Sequence, residues 1–236
     1  MTQPSSEAVI QAVRAEFGPR TLLSFSRGKD AIAAYVAIRD HFEDVIPYHL
    51  YLVPGLEFVD ESLAYYERVM GRKIYNLPHP SFYGWLNSYL YQTPANAAVI
   101  FAAKLPNFDY SVSVRMVCHA ENLPYKTAMV ASGVRAADSP MRRIALMSHG
   151  AVSRAKHQYY PVWDWNKDRT LAAIADAKIK LPIDYDLFNR SFDGLDYRFL
   201  APLKKHRPAD YRRILEWFPL ADIAVWRHEN HGKIAA

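Results

Sequence analysis

The chain holds a single cysteine, Cys118, in 236 residues. A lone thiol excludes an intrachain disulfide, a four-cysteine zinc site and an iron–sulfur cluster ligated by this chain alone. A reducing, cytoplasmic setting is the expectation. No segment reaches the roughly 18 to 20 apolar residues that a membrane span requires. The opening Met1-Thr2-Gln3-Pro4-Ser5-Ser6-Glu7 lacks the basic region and apolar stretch of a secretory signal. No membrane partner is therefore expected. Internal repeats, low-complexity stretches and heptad runs are missing as well. Acidic residues are in the minority, 24 against 29 Lys and Arg, for a formal net charge of +5. That balance suits phosphate-bearing partners, from a nucleotide to a nucleic acid, without choosing between them.

What is present is an ordinary globular mixture, half hydrophobic and 14% aromatic, long enough to bury a real core. The aromatics are read first as packing. Val9, Ile10, Val13 and Phe17 fall on one face of a helix over 6–17, which Gly18-Pro19 ends. Residues 21–25 read as a short buried strand, a polar loop follows, and 31–42 is strongly helical. Strand, glycine loop and helix form the first half of a βαβ unit. Further strands are expected at 45–53, 73–77, 127–131 and 144–147. Helices are expected at 59–70, 82–91, 95–103 and 170–178. Residues 159–165 are expected to form a rigid aromatic loop. Beyond 181 the pattern turns irregular and basic until a last helix near 209–217. The expected fold is α/β, a parallel twisted sheet of about five strands with helices on both faces. A nucleotide-binding domain over 1–180 would carry a basic, aromatic C-terminal extension, 181–236, packed on it.

The loop after the first strand, Ser26-Arg27-Gly28-Lys29-Asp30-Ala31, is a candidate anion site. A strand that opens into a helix presents backbone N–H groups and the positive end of the helix dipole. Gly28 permits close backbone approach. Ser26, Arg27 and Lys29 add a hydroxyl and two cations, and Asp30 could cap the helix or sit near a metal.

This loop resembles the PP-loop of ATP pyrophosphatases, Ser-Gly-Gly-x-Asp-Ser; Arg27 stands at the first glycine and Ala31 at the last serine. Arg27 could offset the lost hydroxyl by clamping phosphate directly. Three further segments resemble motifs of the phosphoadenosine phosphosulfate (PAPS) reductase family and its relatives. They are Pro54-Gly55-Leu56-Glu57-Phe58-Val59-Asp60-Glu61, Ser132-Gly133-Val134-Arg135-Ala136-Ala137-Asp138-Ser139 and Tyr160-Pro161-Val162-Trp163-Asp164-Trp165. Together the four run in the family's order across roughly residues 20 to 170. The resemblance implies the adenine nucleotide alpha hydrolase-like, Rossmann-like fold. It places Ser24, Ser26, Arg27, Gly28, Lys29, Asp30, Gly55, Gly133, Arg135 and Ser139 around a nucleotide, with Arg27, Lys29, Asp30 and Arg135 as the catalytic set and Arg135 on a phosphate or sulfate oxygen. Arg142 and Arg143 could add to this set, and are read first as solvated surface.

The implied ligands are ATP with Mg²⁺, Asp30 being the metal's candidate ligand, or alternatively PAPS. The implied reaction is cleavage of ATP to AMP and pyrophosphate to activate an acceptor. The family's reductases use a cysteine near the C-terminus. The corresponding Arg227-His228-Glu229-Asn230-His231-Gly232-Lys233 has none, so independent reductase activity is not expected. Neither is an iron–sulfur cluster, because Cys118 is followed by His119 and not by a second cysteine. Sulfur or amine donation would fall to a partner protein, and a homodimer is a further expectation. Cys118 itself reads as a small buried apolar residue. His79, His149 and His157 are candidate acids or bases from loops, and His228 with His231 reads as a polar tail before it reads as a metal pair. Lastly, Lys204, Lys205, Arg207, Arg212 and Arg213, flanked by Tyr211 and Trp217, combine cations with aromatics. That mixture suits a phosphate backbone and base stacking, so DNA or RNA is carried as an acceptor or partner. The competing reading is a solvated basic helix.

Overall fold

The computed structural model describes residues 3–230. In chain order these form α1 (Ser6–Phe17), β1 (Arg20–Ser24), α2 (Lys29–Ile38), β2 (Asp44–Tyr51), α3 (Glu57–Met70), β3 (Tyr75–Pro78), α4 (Pro80–Asn87), α5 (Pro94–Ala103), α6 (Tyr110–Ala120) and β4 (Val130–Ala131). A turn of 3-10 helix (Ala136–Asp138) leads into α7 (Pro140–His149), β5 (Val152–Ser153), β6 (Gln158–Tyr159) and α8 (Lys167–Asp176). Then come α9 (Asp184–Phe188), α10 (Tyr197–His206), α11 (Pro208–Trp217) and α12 (Asp222–Asn230). No helix among the described residues is long and apolar enough to cross a membrane.

The fold is α/β. Six strands, not five, lie in the order β3-β2-β1-β4-β6-β5. β1 pairs in parallel with β2 and β4, and β4 with β6, while β5 runs antiparallel to β6. From β1 the chain steps outward through β2 to β3, then returns to the other side of β1 with β4. The strand order therefore reverses between β1 and β4. In open parallel sheets ligands bind in the crevice at the carboxyl ends of the strands where the order reverses.

The chain divides into two compact units, Met1–His49 with Glu67–Asn76 and Val114–Leu181, and Leu50–Tyr66 with Leu77–Ser113 and Pro182–Ala236. In the first, Leu22 and Leu23 of β1 are fully buried, and so are Ala33, Ala34 and Ile38 of α2. Small side chains on α2 let it lie close to α8, whose Thr170 and Ile174 are buried. Tyr159 donates or accepts across the core at 3.1 Å to Thr21 Oγ1, and burial pushes its phenol far above the usual range. The second unit gathers aromatic edges: Phe58 meets Phe192 at 5.6 Å and Phe188 at 6.2 Å, both nearly perpendicular. Such edge contacts are the favoured aromatic geometry, and here they account for much of the aromatic content.

Two sequence expectations are corrected. Residues 144–147 are not a strand but the middle of α7. Ser139 accepts from the Arg142 N–H as its N-cap and Pro140 occupies its first turn, a strong start signal. Met141, Ile144 and Met147, three apart, lie exposed on it while Leu146 is buried. Nor is the region after 181 irregular: it holds four helices, three of them with acidic residues in the first turn.

Candidate functional site

At the reversal point, the carboxyl ends of β1 and β4 frame a crevice of about 260 Å³ lined by Ser24, Ser26, Asp30, Ala31, Ser132, Gly133, Val134 and Arg142. All eight belong to the first unit. Ser24 closes β1, and Ser132 to Val134 follow β4 directly. α2 starts beside them from Gly28, an extended N-cap (φ −69°, ψ 159°) with no side chain to satisfy the first-turn N–H groups. A ten-residue helix starting this way presents donors and partial positive charge to the crevice mouth.

Gly133 is required by contact. A Cβ there would come within 2.4 Å of the Asp30 carbonyl carbon and oxygen, and 2.8 Å of the Ala31 nitrogen. The peptide after β4 thus rests on the first turn of α2, and this close approach, not nearness to a ligand, demands glycine. Arg27, at the position where the resembled pattern has glycine, adopts a left-handed φ of +64°. That conformation costs a non-glycine residue roughly 1–2 kcal/mol. Its side chain turns inward and is 2% exposed, so the direct phosphate clamp expected of it is not what the fold builds.

Arg135 is also redirected. It is 4% exposed; its Nε lies 2.8 Å from Asp30 Oδ1 and its Nη2 2.7 Å from Asp138 Oδ1. Its Nη1 donates to Thr170 Oγ1 at 3.2 Å. One guanidinium therefore ties the start of α2 to the 3-10 turn and to α8. The aromatic segment backs the same turn: the Ala136 N–H donates to the Trp163 carbonyl at 2.8 Å, and Val162, Trp163 and Trp165 are buried. Asp30 receives a second cation, Lys29 Nζ at 2.9 Å from Oδ2. Both Asp30 oxygens thus face a cation, which would compete with a metal for them. No cluster of three or more His, Cys, Asp or Glu suited to a metal occurs among the described residues.

Of the expected set, then, Ser24, Ser26, Asp30 and Gly133 line the crevice. Gly28 and Lys29 form the helix start beside it, Arg27 and Arg135 are buried behind it, and Ser139 caps α7. Gly55 belongs to the second unit, in a turn with φ +73° where its Cα faces the Arg213 guanidinium. Arg142, which the sequence favoured as solvated surface, lines the crevice and bonds Asp138 Oδ2 at 2.7 Å with 53% of its side chain exposed. Its position four residues after Asp138 and three after the helix cap was the available signal.

The remaining candidates resolve simply. Cys118 is 2% exposed and burial pushes its thiol up, the reverse of an activated nucleophile. His79 caps α4, accepting the Ser81 N–H on Nδ1 at 2.9 Å, and burial lowers its pKa. His157 stacks near Tyr125. His149 ends α7. His228 lies flat on Tyr197 at 3.8 Å; His231 lies outside the described residues, as do Gly232 and Lys233. Among the basic C-terminal residues, Lys204 pairs with Asp222, Arg207 with Glu61 and Asp210, and Arg213 with Glu216. Lys205 and Arg212 are exposed. Tyr211 is 7% exposed with its hydroxyl on Asp222, so the base stacking expected of it is not available. Trp217 is 38% exposed with its edge against Phe82.

No family model matches the chain, and no curated protein matches it either. Several solved structures do. A PAPS reductase from Candida auris, in a phosphate complex, is 12% identical over 78% of this chain and 85% of its own, with a TM-score of 0.48. An NH3-dependent NAD synthetase from Campylobacter jejuni is 10% identical over 96% and 93%, at 0.47. A U34-tRNA thiolase from Methanococcus maripaludis, with its 4Fe-4S cluster, is 13% identical over 92% and 80%, at 0.43. The fold itself stands on strand order: a mostly parallel α/β sheet with a polar crevice where that order reverses.

Proposed function

We propose that the crevice binds the phosphates of an adenine nucleotide, and that the protein is a PP-loop enzyme that splits ATP into AMP and pyrophosphate to activate an acceptor. The observation that carries this is the coincidence of three things in one small cavity. It sits at the reversal of strand order, it adjoins the uncapped start of α2, and it is lined by three serine hydroxyls and Arg142. Hydroxyls, helix N–H groups and a guanidinium are the donors that phosphate oxygens require. The likeness of the loop to the PP-loop supplies the nucleotide class.

In this reading Ser24, Ser26 and Ser132 donate to phosphate oxygens, and Arg142 and the α2 start offset the charge that builds on departing pyrophosphate. Arg135 is a positioning residue, fixing Asp30 and the loop behind the site. Asp30 is assigned no metal and no proton transfer.

Calorimetric titration with Mg-ATP and, in parallel, with PAPS tests the assignment. Binding of ATP that weakens about tenfold in Arg142→Ala, the loss of one charge-assisted hydrogen bond, supports the enzyme reading. Preference for PAPS favours a sulfonucleotide-binding protein of the same fold. Failure of both ligands sinks the proposal.

A nucleic acid remains the second reading for the acceptor, resting on Lys205 and Arg212. With only those two of the five cations outside ion pairs, binding would release few counterions. The slope of log affinity against log salt would be shallow, about −2.

A further inference from the structure

A second cavity, more than twice the volume at about 590 Å³, adjoins the crevice and shares two of its lining residues, Val134 and Arg142. It is formed between α7 and the β5–β6 hairpin, wholly within the first unit. Its floor is apolar, with Leu146, Val152 and Tyr160. Around it stand Arg142, Arg154 and Lys156, and no carboxylate among the described residues lines it. Arg142 answers Asp138 and Arg154 answers Glu16 at 2.8 Å, but Lys156 has no acidic partner among the described residues. A cavity with an apolar floor and a cationic rim selects a molecule with an apolar body and one anionic group.

We infer that this cavity is the acceptor site, and that the acceptor is a small organic carboxylate. Its place as acceptor site rests on the nucleotide reading of the crevice; its selectivity for an apolar anion does not. Arg142, common to both cavities, stands between the two ligands and can touch the anionic group of each. The chemistry closes without a further reactant. A carboxylate oxygen forms a bond to the α-phosphorus, the bridging α–β bond breaks, and pyrophosphate leaves with the electron pair. A carboxylate is already deprotonated at neutral pH, so the step asks no base of His149, which also lines the cavity.

Benzoate serves as the probe, observed by saturation-transfer NMR on the full chain. The wild type binds it, and benzyl alcohol binds at least tenfold more weakly. Ala145→Trp fills the cavity from an exposed position that does not line the crevice, and abolishes the signal. Lys156→Glu weakens binding about tenfold. The magnesium complex of α,β-methylene ATP, whose α–β bridge cannot break, does not displace the probe. No benzoate signal, a signal that survives Ala145→Trp, or displacement by α,β-methylene ATP would each overturn the inference. If benzoate behaves as stated while ATP fails to bind in calorimetry, the anion site stands and its role as acceptor site falls.

Discussion

The two ends of the same strands carry two charge clusters built on different plans. At the amino ends, Arg20 and Asp44 open β1 and β2 and join Arg72, Glu121 and Tyr75. Arg20 reaches Asp44 at 3.0 Å and Glu121 at 2.9 Å, Arg72 reaches Asp44 at 2.9 Å, and the Tyr75 hydroxyl donates to Glu121 at 2.6 Å. Two cations meet two carboxylates in a closed ring. At the carboxyl ends, Lys29, Arg135 and Arg142 meet Asp30 and Asp138 in a chain of ion pairs. The open chain ends on Arg142, in the crevice. Charge at one end closes on itself in structure, whereas at the other end the pairs lead to a half-exposed guanidinium where an anion can reach it.

Substitutions separate the two plans. The largest effect is expected from Gly133→Ala, because the new methyl overlaps backbone and not a yielding side chain. Urea denaturation should show a loss of about 3 kcal/mol or no folded protein; an unchanged midpoint would mean that the β4 peptide does not rest on α2. Arg135→Met leaves Asp30 to Lys29 and Asp138 to Arg142 but removes the buried tie between them, and should cost about 2 kcal/mol, with nucleotide affinity falling only as a consequence. If affinity fell while stability held, Arg135 would be a ligand contact after all, and the carboxyl-end cluster would be a site throughout.

At the amino end, Glu121→Gln should cost about 1–2 kcal/mol and leave nucleotide affinity unchanged. Burial pushes the Glu121 carboxyl up. The hydrogen bonds from Tyr75 and Arg72, with the charges of Arg72 and Arg20, outweigh that and hold it below the ordinary glutamate range. A depressed folded-state pKa stabilises above the unfolded value and loses that contribution as pH falls through the folded one. The difference in melting temperature between wild type and Glu121→Gln should therefore be full at pH 7 and shrink on acidification below about 4.5, the ordinary value. The smallest change in stability belongs to Ser26→Ala: none in melting temperature, but roughly fivefold weaker Mg-ATP binding, the worth of one neutral hydrogen bond.

The strand-loop-helix around Gly28 was legible because its signals are local: an apolar run, a glycine loop and a helical period within about 20 residues. The fate of Arg135 was not, since two of its partners, Asp30 and Thr170, lie 105 and 35 residues away. The inward turn of Arg27 was hidden for a related reason, as nothing in a sequence tells a left-handed arginine from an extended one. Residues 144–147 misled because four apolar residues fit a strand as well as a helix. The spacing of Met141, Ile144 and Met147 and the Ser139-Pro140 start decide it only over a longer window. In the C-terminal region, Pro202 inside α10 and Pro208 at the start of α11 broke the helical text without breaking the helices.

The contact between Gly133 and the Asp30–Ala31 peptide spans 103 residues of chain. Closing so long a loop belongs to the slow, non-local part of folding. The anion-binding motif is thus written early in the chain, while its crevice exists only once β4 has docked. A nascent chain halted before residue 133 would carry Ser26 to Ala31 intact and have no cavity for a phosphate to enter.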